Sequence, residues 1–153
     1  MTESDELDRM LAERACERLM VDYAWFIDSG VASRVADLFA TNGRWEGADG
    51  SGMVGQAEIR AAFERREQLT RRQARHVITN VRIDVQPDGR ATGTACLVQY
   101  RHDASSGPAI PPAPADHPKF VGDYFLTFLR TSTGWRIESL RFAIAFLRTK
   151  GPR

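Results

Sequence analysis

An α+β fold, with helices first and a strongly curved antiparallel sheet after them, is predicted by three observations. Apolar residues recur at helical spacing as far as about Leu69. From Arg75 onward the pattern changes to alternation rich in Val, Ile, Thr, Phe and Tyr, the period of strands with one buried face. Two of the alternating runs then change parity without an intervening turn. A parity change marks a β-bulge, and bulges bend strands so that a sheet can curl around a cavity. Helices and strands segregated in this order place the helices on one face of the sheet.

The first helix is expected from about Asp5, where Leu7, Leu11, Ala15, Leu19, Tyr23 and Ile27 recur every four positions, reinforced by Met10, Met20 and Ala24. Ser29 and Gly30 stop it. Val35, Leu38 and Phe39 in "VASRVADLFA" predict a second helix. The Gly and Asn density of "TNGRWEGADGSG" predicts turns around a short strand at Arg44 to Glu46, and "GSGMVG" reads as a loop. A third helix is expected from Gln56 to about Leu69, with Ile59, Ala62, Phe63 and Arg66 on successive turns.

Four strands follow, at residues 75–86, 90–102, 119–131 and 134–148, with hairpin turns at "PDG" and "STG". Between the middle two lies "DASSGPAIPPAPADHP", residues 103–118, too long and Pro-rich for a tight turn; it reads as a lid, a partner contact or a mobile excursion. The parity changes fall at two places. In "HVITNVRIDV" His76 shares parity with Ile78, whereas Val81, Ile83 and Val85 take the opposite one. In "WRIESLRFAIAF" Trp135 and Ile137 give way to Leu140, Phe142, Ile144 and Phe146.

The 153 residues fit one domain, 1–153 with its core at about 7–148, large enough for a single core and a pocket. Lys and Arg (21) nearly cancel Asp and Glu (20), so the formal charge of +1 argues against nucleic acid or an anionic membrane as partner. No stretch nears the roughly 18 apolar residues of a membrane span, and "MTESDELDRM" lacks the basic start and apolar core of a leader. A cytoplasmic location is therefore expected. Cys16 and Cys96 form neither a CxxC pair nor a zinc-type cluster with the histidines, and read as buried reduced thiols.

No nucleophile elbow, P-loop, dinucleotide fingerprint, HExxH or metal-spaced acidic cluster is present in the sequence, so neither a metal nor an organic cofactor is expected. The basic run "RREQLTRRQAR", residues 65–75, has no aromatic interleaving and reads as a solvated helix end. Acid and base groups remain. His117 lies in the Pro-rich loop and reads as solvated. His76 begins a strand, where it either faces water or does chemistry, and His102 in "YRHD" is open to the same two readings. Asp28 directly follows the apolar Trp25, Phe26 and Ile27, a place where an ionised carboxylate must be solvated, paired or used.

"YAWFIDSGVASRVADLFATNGRWEG", "GQAEIRAAF", "RHVITNVRI" and "DYFLTFLRTSTGWRI", in that order, resemble the SnoaL-like group of the nuclear transport factor 2-like superfamily over about residues 7–148. The resemblance implies a cone in which a curved antiparallel sheet and three helices enclose a deep apolar pocket. Scytalone dehydratase, bile-acid 7α-dehydratase and hexachlorocyclohexane dehydrochlorinase belong to that group. They pair an aspartate near the end of the first helix with a histidine at the start of a central strand, and the matching positions here are Asp28 and His76. The bile-acid enzyme also places a tyrosine five positions before its aspartate, which matches Tyr23. Five helical steps turn about 140°, so Tyr23 and Asp28 share a face only if the helix unwinds, and core packing of Tyr23 remains open.

The second pocket histidine of scytalone dehydratase falls one place out of register with His102. Many relatives carry Tyr-x-Asp in the strand beginning at 119, whereas this chain keeps Tyr124 and has Leu126 in the acidic place. The implied pocket is accordingly apolar and suits a hydrophobic ring-like substrate. Trp45, Phe63, Leu97, Val98, Phe125 and Phe142 are the candidates for its wall, with core packing the alternative for each.

The resemblance implies a general base. A neutral imidazole accepts a proton near pH 7, its reference pKa being about 6.5, and a carboxylate on its other nitrogen fixes the tautomer. His76 would remove the proton, Asp28 orient the ring, and Tyr23 or Tyr100 donate a hydrogen bond to a developing enolate or departing hydroxyl. Elimination of water from a cyclic, steroid-like or polyketide-like substrate is the first expectation, with cyclisation or double-bond isomerisation as alternatives. A non-catalytic binder of a small apolar molecule and a structural partner of the dioxygenase small-subunit kind also fit the fold. A homodimer, or a trimer, is expected by analogy.

Overall fold

The structure, a computed structural model, describes residues 2–115 and 117–149. In chain order it comprises α1 (Glu3–Asp28), a 3-10 helix (Ala32–Leu38), β1 (Phe39–Glu46), β2 (Gly52–Val54), α2 (Gln56–Glu67), β3 (Arg72–Val85), β4 (Arg90–Asp103), β5 (Phe120–Thr131) and β6 (Gly134–Leu147). The six strands form one sheet in the order β2-β1-β6-β5-β4-β3. The sheet is curved and unclosed, an α+β arrangement. It is mixed where an antiparallel one was expected, because β1 runs parallel to β6. Tight hairpins make β3 and β4, and β5 and β6, antiparallel, and the Pro-rich loop returns β5 antiparallel to β4, whereas β1 and β6 are far apart in the chain and no turn constrains their polarity.

A capping box starts α1: the Asp5 amide donates to Thr2 Oγ1 at 3.1 Å and the Thr2 amide donates to Asp5 Oδ2 at 2.8 Å. The buried stripe of α1 differs from the expected one, for it consists of Ala12, Cys16, Met20, Tyr23, Ala24 and Ile27, while Leu7 and Leu11 are more than half exposed. A strict four-residue step drifts about 40° per step on an ideal helix, so Leu7 and Ile27 cannot share one face. The second helix is a 3-10 segment, short enough to hand over directly to β1 at Phe39. "GSGMVG" contains a strand that the sequence reading missed: Gly52, Met53 and Val54 pair with Glu46, Trp45 and Arg44.

Both parity changes are bulges. Register shifts between Thr79 and Arg82, where Asn80 takes a φ of +53°, a left-handed conformation that asparagine tolerates. Ser139 pairs with Thr127 and Ile137 with Phe128, leaving Glu138 as the extra residue of β6. Cys16 is buried as expected, and burial pushes its thiol up to about 12. Cys96 is only half-buried and faces outward, beside Asn80 Nδ2 at 3.6 Å and Asp123 Oδ1 at 3.7 Å. The Pro-rich loop bonds to the start of β3, with the Ala104 and Ala109 amides donating to the Arg71 and Thr70 carbonyls.

Gly122 of β5 allows a close approach of β6. A Cβ built there would collide with the Ala143 carbonyl oxygen and lie 2.6 Å from Phe142 Cε2, so the absence of a side chain lets the Phe142 ring turn inward. Gly122→Ala is expected to lower unfolding free energy by about 2 kcal/mol through overpacking. Chemical denaturation measures it, and an unchanged midpoint would show that Phe142 does not need the gap.

Candidate functional site

The inward face of β3 to β6, the end of α1, the last turns of α2 and the β1–β2 hairpin enclose a cavity of about 750 Å³. Asp28 is the last residue of α1, a helix end with no basic residue in its final turn. A carboxylate there opposes the helix dipole and needs its own partners. His76 of β3 supplies two: its backbone amide donates to Asp28 Oδ2 at 2.7 Å, and its ring Nδ1 lies 2.6 Å from Asp28 Oδ1. The side chains are 8% and 10% exposed for His76 and Asp28, so little water competes for these bonds. A carboxylate only accepts, hence Nδ1 carries the proton and the Nε2 lone pair is left on the cavity side. There it accepts from Gln99 Nε2 at 2.9 Å, the residue directly opposite His76 in the β3–β4 register. Gln99 Oε1 is buried with no partner among the described residues.

α1 stays helical through Asp28, so Tyr23 and Asp28 diverge. Tyr23 borders the main cavity, whereas Asp28 sits behind the imidazole, beside a second, smaller hollow shared with Trp25 and Arg75. The Trp45 indole donates to the Tyr23 hydroxyl at 2.9 Å, which leaves the tyrosine proton free to be donated. Tyr23 also makes edge contacts with Phe63 and Tyr124, with ring centroids 6.0 and 5.8 Å apart. Burial pushes the pKa of Tyr23 up, against the lowering effect of the Trp45 bond, and pushes Tyr124 well above the ordinary range. Both remain neutral donors at any working pH. Tyr23→Phe removes the acceptor of the half-buried indole N–H and is expected to cost about 1 kcal/mol of stability. Thermal unfolding reads it, and no change in midpoint would mean that the indole finds another acceptor.

A sequence profile of the SnoaL-like domain matches residues 8–141. The chain belongs to the SnoaL-like family. Solved structures similar to this SnoaL-like protein include an NTF2-like protein with a cystatin-like fold from Novosphingobium aromaticivorans, 22% identical over 93% of this chain and 87% of that one, with a TM-score of 0.77. A hexachlorocyclohexane dehydrochlorinase, LinA type 2, is 14% identical over 97% of this chain and 95% of its own, with a TM-score of 0.78. ActVI-ORFA from Streptomyces coelicolor is 15% identical over 89% and 97%, with a TM-score of 0.70. No curated protein sequence matches the chain. At these identities the likeness shows the fold.

In the SnoaL-like cavity Tyr23, Trp45, Phe63, His76, Leu97, Tyr124 and Phe142 all border the space. Four other candidates do not, and the reason is parity along the strand. Leu97 faces inward, so Val98, Tyr100 and His102 face outward, opposite Val77, Arg75 and Gln73 on β3. Tyr100 is thus removed from the donor role, and Tyr124 stands nearer to it. Phe125 lies on the outer face under the Arg141 guanidinium, 4.2 Å from ring centroid to Cζ. His117 is exposed in the loop.

The sequence reading missed Gln99, Arg66, Arg72, Arg101 and the hairpin residues around Asp49 and Met53, all of which border the cavity. The signal for Gln99 and Arg101 was available, since the inward parity Ala91, Gly93, Ala95, Leu97 continues to them. Arg72 Nε donates to Asp103 Oδ1 at 2.8 Å, and Arg101 Nε and Nη2 donate to Asp103 Oδ2 at 2.9 and 2.6 Å. Burial alone would raise the Asp103 carboxyl, but these bonds outweigh it and hold it at about 2. Among the described residues no group of three or more His, Cys, Asp or Glu could hold a metal ion, and no helix is long and apolar enough to cross a membrane.

Proposed function

We propose that this SnoaL-like protein is a cofactor-independent lyase in which His76 is the general base, acting on a cyclic, largely apolar small molecule. The observation that carries this reading is the double engagement of Asp28, which bonds both the backbone and the ring of His76 and so fixes the tautomer that leaves Nε2 basic on the cavity wall. The neighbouring fold of a dehydrochlorinase supports elimination as the reaction class.

Substrate entry displaces the Gln99 amide from Nε2. The C–H electron pair forms the new double bond as its proton passes to Nε2, and Asp28 stabilises the imidazolium. The leaving hydroxyl takes that proton and departs as water, which restores the neutral ring. Tyr23 and Tyr124 donate to a carbonyl oxygen on which enolate charge develops. The same base serves a cyclisation or an isomerisation when the substrate lacks a leaving group. A second reading, a ligand-binding protein without turnover, draws on the 2.9 Å Gln99 bond that occupies Nε2.

Cyclic β-hydroxy ketones separate the two. Wild-type protein is expected to generate the conjugated enone, followed by its ultraviolet absorbance, and His76→Ala and Asp28→Asn are each expected to abolish most of that rate. Equal rates for all three proteins would sink the lyase reading.

A further inference from the structure

We infer that the cavity carries an oxyanion subsite, built from Arg66, Arg72 and Arg101, and therefore takes a cyclic, largely apolar ligand bearing one carboxylate or phosphate group at the end remote from His76. This deepens the proposed function, resting on the same cavity as the substrate site. The three guanidinium groups arrive from separate elements: Arg66 from the last turn of α2, Arg72 from the start of β3 and Arg101 from β4. All three border the cavity. On a strand, inward positions repeat every two residues, about 6.7 Å apart. Arg101 lies one repeat beyond Gln99, and Arg72 two beyond His76, so the positive end and the base are separated by roughly the width of one or two rings.

The acidic groups around the cavity do not satisfy this end. Asp28 is occupied at both oxygens by His76. Asp49 accepts from the Ser51 amide and hydroxyl at 3.0 and 2.6 Å. Asp103 alone bridges two of the arginines, one carboxylate to two guanidiniums. The Arg66 guanidinium makes no hydrogen bond or ion pair among the described residues, although its backbone carbonyl accepts from the Leu69 amide. Burial first, and then the charge of Arg72, push its pKa down from the usual value, opposed by the attraction of Asp28. Arginine does not give up its proton in proteins, so the strain on Arg66 is that of a partly buried cation short of a counter-ion. A planar or tetrahedral oxyanion set between Arg66 and the Arg72–Asp103–Arg101 bridge supplies one, with free N–H groups on all three for forked hydrogen bonds.

Equilibrium binding tests this without any need for turnover, so it can fail while the lyase reading stands, and the reverse. The probes are 2-naphthoate, 2-naphthyl phosphate, the neutral 2-naphthamide and inorganic phosphate, titrated calorimetrically into the full chain. At least one naphthyl anion is expected to bind roughly tenfold or more tightly than 2-naphthamide, a charge-assisted pair being worth at least that. The tighter of the two anions then says which oxyanion the subsite prefers. Arg66→Met keeps the apolar stem and is expected to remove most of that preference while leaving 2-naphthamide affinity unchanged. Equal affinity for anions and amide in the wild-type protein overturns the inference whatever the variants do. So does an anion preference that survives both Arg66→Met and Arg101→Met, or inorganic phosphate that competes as well as the ring-bearing anions.

Discussion

Turnover by the His76→Ala protein is expected to fall about a thousandfold, within the range that loss of a positioned general base produces. No other described side chain stands ready to replace it. Gln99, the nearest polar neighbour, is an amide with no basic nitrogen, and Tyr23 and Tyr124 are neutral phenols that burial holds far from ionisation. The three arginines at the far end of the cavity are permanent cations. The substitution also leaves Asp28 with the residue 76 amide as its one remaining partner from this pair. A nearly buried carboxylate stripped of a hydrogen bond is expected to cost about 1–3 kcal/mol of stability as well. Kinetics at saturating substrate, alongside a thermal melt, separate the two effects. A folded alanine variant with wild-type turnover would end the general-base proposal.

Asp28→Asn is expected to lower turnover by about a hundredfold to a thousandfold while leaving ligand affinity almost intact. The reason lies in donor counting. Asp28 now accepts two hydrogen bonds, one from the His76 amide and one from Nδ1. An asparagine offers one oxygen and one NH2 group, so it can accept only one of them. If the oxygen takes the backbone amide, the NH2 group faces Nδ1, which must then give up its proton, and the proton moves to Nε2. The base nitrogen is thereby blocked. If instead the oxygen takes Nδ1–H, a buried backbone amide loses its partner and the ring loses the negative charge that stabilises the imidazolium. Because both variants disable one unit, the double variant should be no slower than His76→Ala alone. Additive losses would show that Asp28 acts independently of His76.

Much of the architecture was legible because local chemistry repeats. Alternation located the four long strands to within a few residues, and the parity breaks at Asn80 and after Ile137 marked two of the three register shifts seen in β3 to β6, the third, at Val121/Gly122, leaving no such break. The errors arose where a pattern was read one step too loosely. Leu7 and Leu11 were assigned to the buried face by a four-residue period that a 3.6-residue helix does not keep. Val98, Tyr100, His102 and Phe125 were placed in the pocket although they sit on the outward parity of their strands. The strand Gly52–Val54 reads as a loop in the sequence because a strand that short, opened by a glycine, is created by its neighbour, β1, and not by its own composition.

The sequence by itself determined the fold class, the curvature of the sheet and the residue types available for acid–base chemistry, since periodicity and bulges are properties of adjacent positions in the chain. It also made the Asp28 and His76 positions conspicuous, the first by a charge behind an apolar run and the second through a family resemblance. Only the tertiary structure decided what those residues meet. The pairing of Gln99 with His76 depends on β3 and β4 register. The gathering of Arg66, Arg72 and Arg101 depends on a helix end and two strands meeting at one mouth. Positions far apart in the chain leave no mark on each other's local pattern, so a basic run that reads as a solvated helix end becomes, once folded, the charged wall of an apolar cavity.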